Sequence, residues 1–362
     1  MIKPATIKPE DFFLTGAAET SLVYLATPFI AGAASVQDIG MFLFEDGFGT
    51  GYVGKKGSTA TKDEWIALES QELQNLFLSW QNKWRDIDDE LYSFATQGEP
   101  SIWRSTWKRV DEINYDFWFD SYKLDCLDPF AEELEQEVLK GLAQANVDTE
   151  LFSEIISPSE LTLPQQMEVL LSDVADKKLS EVEYIRRFWF KKGTWNGGAV
   201  YMDDDLQQEV AAKVSPDQLQ QSLARRMQLH KDVDVLLDEY TLRLVILLRI
   251  FTLWRELRKS FAQRFCLVLK HITADAASDL GVDVKLVRWA QIDEIDNIIR
   301  DQNALQERML KSVYIMKDGT QTVFLDDEAQ QVFDAFVHKG EEAHVKGMVA
   351  AKGNARGIVR IV

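Results

Sequence analysis

From Lys62 onward, apolar residues return every three or four positions for most of the chain; before that point they do not. In "KDEWIALESQELQNLFLSWQNKWRDIDDELYSFA", the residues Leu73, Leu76, Phe77, Trp80, Trp84, Ile87 and Leu91 fall on one stripe of a 3.6-residue repeat. Gly98 and Pro100 end that stripe. A second long helix is predicted from about Ile102 to Leu124, and a third begins after Pro129 with "FAEELEQEVLKGLAQ". "SPSELTLPQQMEVLLSDV" supplies another proline-punctuated start, and the glycine-rich "KKGTWNGG" (191–198) breaks the helical pattern. The longest helical stretch runs from about Pro216 to Leu280, with a kink or break expected near His230 to Asp234.

Strand signals are few and short. "MFLFEDGFGTGYVGKKG" reads as two strands around a glycine-rich turn, and "SVYIMKDGTQTVFLDD" as a hairpin through Asp318-Gly319. A short helix, "DEAQQVFDAFV", separates that hairpin from the terminal "KGMVAAKGNARGIVRIV", whose apolar runs Met348–Ala351 and Ile358–Val362 predict one more. The predicted class is therefore mainly α: a multi-helix domain with small β-hairpins. Residues 1–60 are read as an N-terminal hairpin region packed on helices. Residues 61–342 form a helical domain with a hairpin at about 312–326, and residues 343–362 begin a further β-rich domain. Because the last run still alternates at Val362, the expectation is that the sequence stops inside that domain.

Gly49, Gly51 and Gly54 spell a formal G-x-G-x-x-G. A dinucleotide site needs this motif to open a helix directly after a strand, within a βαβ unit. The next helix is predicted only at "TKDEW", where Thr61 and Glu64 make a capping box, so the glycines read as turn chemistry.

Charge narrows the partners. A formal charge of −19 argues against nucleic acid or an anionic membrane surface. It leaves room for a small anion held by a local group of arginines. The apolar stretch 242–254 is interrupted by Arg243 and Arg249 and is too short to span a bilayer. Two cysteines, Cys126 and Cys266, lack metal-ligand spacing, and the N-terminus lacks a signal-peptide core. A soluble, cytoplasmic protein is expected.

Four features carry candidate chemistry. Aromatic residues crowd between Phe77 and Phe130, including the i,i+4 pairs Trp80/Trp84 and Trp103/Trp107; helix packing accounts for them more simply than an apolar ligand pocket. Arg255, Arg258 and Lys259 lie at i, i+3 and i+4, so one helix face presents three cations. Such a face suits a phosphate or carboxylate, with a solvated or ion-paired surface, Glu256 included, as the alternative. His230, His271, His338 and His344 show no Ser, Cys or carboxylate at an identifiable triad or metal spacing. Asp203, Asp204 and Asp205 read as the acidic opening of a helix and not as a cation site. No catalytic residue and no metal ligand is assigned from these patterns.

The order of elements adds a resemblance. Gly347, Ala350, Gly353, Ala355, Gly357, Val359 and Val362 match the opening G-x-x-A-S-P-G-x-A-x-G-x-V-x-V-V of the swivelling phosphohistidine domain. Ala351 and Lys352 replace its serine and proline. Upstream, Arg255, Arg258 and Lys259, then Gly281, then Asp293, Glu294 and Ile295 match the R-x-x-R-K helix and D/E-E-I helix start of the preceding connector. The chain thus resembles PEP-utilising enzymes: phosphoenolpyruvate synthase, pyruvate phosphate dikinase and the rifampicin phosphotransferases. The resemblance implies the connector portion of a phosphotransferase in which a phosphohistidine domain shuttles phosphate between a nucleotide and pyruvate, PEP or another small acceptor. The family's catalytic histidine and its ATP-grasp domain have no counterpart in residues 1–362. The segment alone is expected to be inactive and to bind no cofactor, with magnesium and ATP or PEP implied for the complete enzyme and small-molecule substrates met through its other domains. The alternative is a non-catalytic helical scaffold or binding protein, or a subunit completed in trans.

Overall fold

The structure, a computed structural model, describes residues 2–21, 27–97, 100–124, 126–211, 217–298 and 301–337. His338, His344 and the terminal hairpin expected at 343–362 lie outside the described residues. The strands are β1 (Phe12–Glu19), β2 (Ile39–Glu45), β3 (Phe48–Gly54), the two-residue pair β4 (Gly193–Thr194) and β5 (Gly197–Gly198), β6 (Lys311–Lys317) and β7 (Thr320–Leu325). The first five helices are α1 (Thr27–Gln37), α2 (Lys55–Ala67), α3 (Ser70–Gln97), α4 (Trp103–Ser121) and α5 (Ala131–Gln144). Then come α6 (Phe152–Ile155), α7 (Leu163–Ala175), α8 (Glu181–Phe188), α9 (Asp203–Ala211), α10 (Asp217–Asp234) and α11 (Glu239–Leu280). The last are α12 (Val284–Val287), α13 (Ile295–Ile298), α14 (Gln302–Leu310) and α15 (Asp326–Val337). Mainly α with small β elements is what the sequence predicted.

The two hairpins read separately from sequence are one object. β2 pairs antiparallel with β6, from Ile39↔Lys317 to Glu45↔Lys311, giving a five-stranded sheet ordered β1-β3-β2-β6-β7. Asp46-Gly47 and Asp318-Gly319, each with positive φ at both residues, turn the two hairpins. β2 is apolar almost throughout because both its faces are covered. Phe42 and Phe44 join the large helical core, while Met41 and Leu43 pack with Val313, Ile315, Phe324 and α15 on the other side.

Two readings are corrected. α2 starts at Lys55, directly after β3, and not at Thr61, which is buried in mid-helix. Ser58 donates its hydroxyl proton to the Gly54 carbonyl at 2.7 Å in the first turn, a local anchor not visible in a capping-box search. The glycines still do not make a dinucleotide motif: Gly49 and Gly51 lie inside β3, which pairs antiparallel with both β1 and β2. Second, the stripe from Lys62 is two helices, since Leu68 is extended (φ −66°, ψ 138°) between α2 and α3.

α11, 42 residues long, runs through the centre of the helical core and buries residues on every side. Asp238 caps it, accepting from the Thr241 amide at 2.8 Å, and Gly281 ends it at φ 67°. The break from α10 falls at 235–238, beside the region expected.

Candidate functional site

Arg255, Arg258 and Lys259 leave α11 toward the sheet and line one cavity of about 170 Å³. The opposite wall is the small-residue stretch Thr15–Ala18 of β1, with Gly49 of β3 behind it. Phe29, Phe42 and Trp118 form the aromatic floor, and Trp195, from the turn between β4 and β5, closes one side. The spacing at i, i+3 and i+4 placed the cations on one face; the fold supplies the rest.

Each wall has a local cause. The β1–β3 register shifts between Leu14 and Gly16, a bulge that takes Thr15 out of the ladder. The Thr15 hydroxyl lies over Gly51, where a Cβ would come within 2.8 Å of it. At Gly49 a Cβ would meet the Phe44 ring at 2.7 Å, so glycine there allows Phe42 and Phe44 to stack at 5.3 Å. Phe29 contacts Phe42, Trp118 and Tyr122 edge-on at 5.0–5.3 Å, tying α1, the sheet and α4 together beneath the cavity. Trp195 is fixed through its backbone and its neighbour. Thr20 donates to the Trp195 carbonyl at 3.0 Å, and Asn196 donates to Glu19 at 2.8 Å while accepting from Arg288 at 3.3 Å.

The three cations are not equivalent. Arg258 is 5% exposed, its guanidinium 5.8 Å from the Trp118 ring centroid. Arg255 is half-exposed, pairs with Asp128 at 3.2 Å and lies 5.7 Å from the Phe251 ring. Lys259 is exposed at the mouth. Glu256, the neighbour expected as an ion partner, instead accepts from the Leu163 amide at 3.1 Å. Arg255, Arg258, Lys259 and the Asp128 carboxylate thus line one cavity whose other walls are largely apolar, where an anion meets less dielectric screening than in bulk water. Arginine and lysine side chains so grouped are the kind that pair with phosphates and carboxylates.

The remaining candidates separate as follows. Trp84, Trp103, Trp107 and Phe117 are buried in the core. Trp254, whose ring lies 5.4 Å from Trp65 and 5.5 Å from Trp80, walls with them an open groove of about 540 Å³ between α2, α3, α4 and α11. Asp203, Asp204 and Asp205 open α9; Asp205 accepts from the Met202 amide at 3.0 Å and from Lys192 at 2.8 Å, which hold its carboxyl below the usual range. His271 lies on α11. His230, on α10, meets Ser159 at 2.8 Å, a partner 71 positions away that no sequence spacing signals.

A second acidic feature escaped the sequence altogether. Asp111 and Asp293 line a cavity of about 190 Å³ with Trp107, Tyr115 and Gln291. Burial, then Asp293 and Glu112, push the Asp111 carboxyl up to about 7. Only the packing of the 291–294 segment against α4 brings the two acids together.

Among the described residues, no helix is long and apolar enough to cross a membrane. Protein-family models, curated proteins and solved structures gave no match to this chain.

Proposed function

We propose that this chain is the connector portion of a PEP-synthase-like phosphotransferase, and that its Arg255–Arg258–Lys259 cavity receives the phosphoryl or carboxylate group of a small ligand. The observation behind this reading is the convergence of three cations from one helix on a single aromatic-walled cavity, in a protein of charge −19. The cavity supplies what phosphoryl transfer requires of a protein: charge neutralisation and fixed position. In this reading the reactive histidine belongs to a phosphohistidine domain and acts with magnesium and ATP or PEP. A cytoplasmic setting goes with this reading, and Cys126 and Cys266 as buried thiols support it.

Titration calorimetry with inorganic phosphate, PEP and pyruvate tests the site. PEP and phosphate are expected to bind the full chain, and Arg255→Ala with Lys259→Ala is expected to weaken them at least tenfold. Equal binding by the variant and the unsubstituted chain would defeat the reading. The Arg255–Asp128 pair favours a second reading, a non-catalytic binding or scaffold protein. Anion binding without phosphoryl transfer, when ATP-grasp and phosphohistidine domains are supplied separately with magnesium, would select that one.

A further inference from the structure

The segment between α6 and α7 brings a serine to a histidine. Ser159 is exposed and its Oγ lies 2.8 Å from Nδ1 of His230, which is 4% exposed. The other ring nitrogen, Nε2, is 3.1 Å from the backbone carbonyl of Glu154. A carbonyl only accepts, so Nε2 carries the proton, Nδ1 of the neutral ring holds a lone pair, and the Ser159 hydroxyl donates to it. Burial lowers the His230 pKa, outweighing the Glu154 bond and the Asp234 charge, with Arg249 and Arg226 also lowering it. The ring is therefore a neutral base at physiological pH.

The serine is held in place from both sides. Arg226 donates to the Pro158 carbonyl at 2.9 Å, just before it. Beyond it, Thr162 and Gln165 form a capping box at the start of α7. The backbone amides of Glu160 and Leu161, one and two residues on, make no hydrogen bond to any described residue. Backbone N–H groups that follow a nucleophile in sequence are of the type that stabilises an oxyanion. Ser159 and His230 open on a groove of about 490 Å³ with a wall of Phe77, Leu78, Ile246, Ile250 and Leu253. Arg249, also on this groove, is neutralised by a bidentate pair with Asp234 at 2.8 and 2.9 Å. Glu160 and Lys231, of opposite charge, also line the groove, and its aliphatic and aromatic wall suits an apolar chain.

We propose that Ser159, His230 and the Glu154 carbonyl act as nucleophile, base and orienting group in hydrolysing esters with apolar acyl chains bound in this groove. The parts match the general arrangement of an activated serine, with a backbone carbonyl orienting the base in place of a carboxylate. Ser159 Oγ forms the new bond to the ester carbonyl carbon as its proton passes to Nδ1. The C–O bond then breaks and the proton leaves with the alcohol. Water, deprotonated by the same nitrogen, releases the acid and restores the serine.

The test uses the full chain with a fluorophosphonate probe and with p-nitrophenyl butyrate. The expected result is one covalent adduct, mapped by mass spectrometry to the peptide containing Ser159, together with ester hydrolysis. Ser159→Ala, at an exposed position, should fold normally, lose the adduct and lower kcat/KM at least a hundredfold. Ser159→Cys should keep the fold and react with a thiol-directed reagent in place of the probe. No adduct while a known serine esterase is labelled in the same tube overturns the proposal. So does an adduct on another serine, or hydrolysis unchanged in Ser159→Ala.

Discussion

Arg264 and Asp88, 176 positions apart, are joined by a 2.6 Å hydrogen bond from Nε to Oδ1 in the middle of the helical core. The same carboxylate accepts from Trp189 at 3.2 Å and, through Oδ2, from Arg186 at 2.9 Å. The Arg264 guanidinium also stacks 3.4 Å from the Phe190 ring centroid. Burial brings the Arg264 pKa down to about 10 despite Asp88, which holds the charge on the buried guanidinium. Asp88→Ala leaves a buried arginine without its counter-ion and is expected to destabilise the chain by about 3–5 kcal/mol. Urea denaturation measures it, and a loss below about 1 kcal/mol would show that water replaces the carboxylate.

Gly141 and Thr241 set how closely α5 approaches α11. A Cβ at Gly141 would lie 2.2 Å from the Thr241 hydroxyl and 2.4 Å from its methyl. Gly141→Ala gains about 1 kcal/mol of helix propensity but overpacks the contact by about 1–3 kcal/mol. The net expectation is a lower Tm, partly restored by Thr241→Ala in the same chain. A higher Tm for the single variant would contradict the close approach.

Asp111 makes stability depend on pH. Its folded carboxyl sits near 7 against 3.8 for the ordinary group, so between these values the folded state binds the extra proton. Its contribution is fully present below about pH 4 and is lost as pH rises through about 7. Asp111→Asn should therefore stabilise the protein at pH 8, by on the order of 2 kcal/mol, and little at pH 4. Guanidinium titrations at the two pH values check the sign. A gain larger at pH 4 would contradict it.

Asn196 holds the turn that carries Trp195 over the Arg255–Arg258–Lys259 cavity through its contacts with Glu19 and Arg288. These contacts are exposed or half-buried and contribute little stability. Asn196→Ala should weaken phosphate binding severalfold while Tm changes by only a few degrees. Calorimetry and a thermal melt on the same sample separate the two effects.

How much of this was legible beforehand follows the range of the interactions. The helix stripe at Leu73–Leu91, the break before α11 and the Asp318-Gly319 turn are set by residues a few positions apart. They appear in the sequence because hydrophobic period and turn chemistry are local. β1 and α1 were missed for the converse reason. "LTGAAE" and "FIAGAASV" are rich in alanine and glycine and carry no clear apolar–polar period, their small residues being chosen by what lies against them. Gly32, for instance, sits where a Cβ would come within 2.7 Å of the Trp118 carbonyl oxygen.

The site divides in the same way. The sequence by itself determined that Arg255, Arg258 and Lys259 share a helix face, because 3.6 residues per turn fixes that without further information. Only the tertiary structure decided that this face meets β1 and Trp195, that Asp128 and not Glu256 takes Arg255, and that Ser159 reaches His230. The pairing of β2 with β6 likewise joins residues some 270 positions apart. Such contacts form because burying apolar surface on both faces of one sheet outweighs the entropy of closing a long loop, and that balance is a property of the whole packed core.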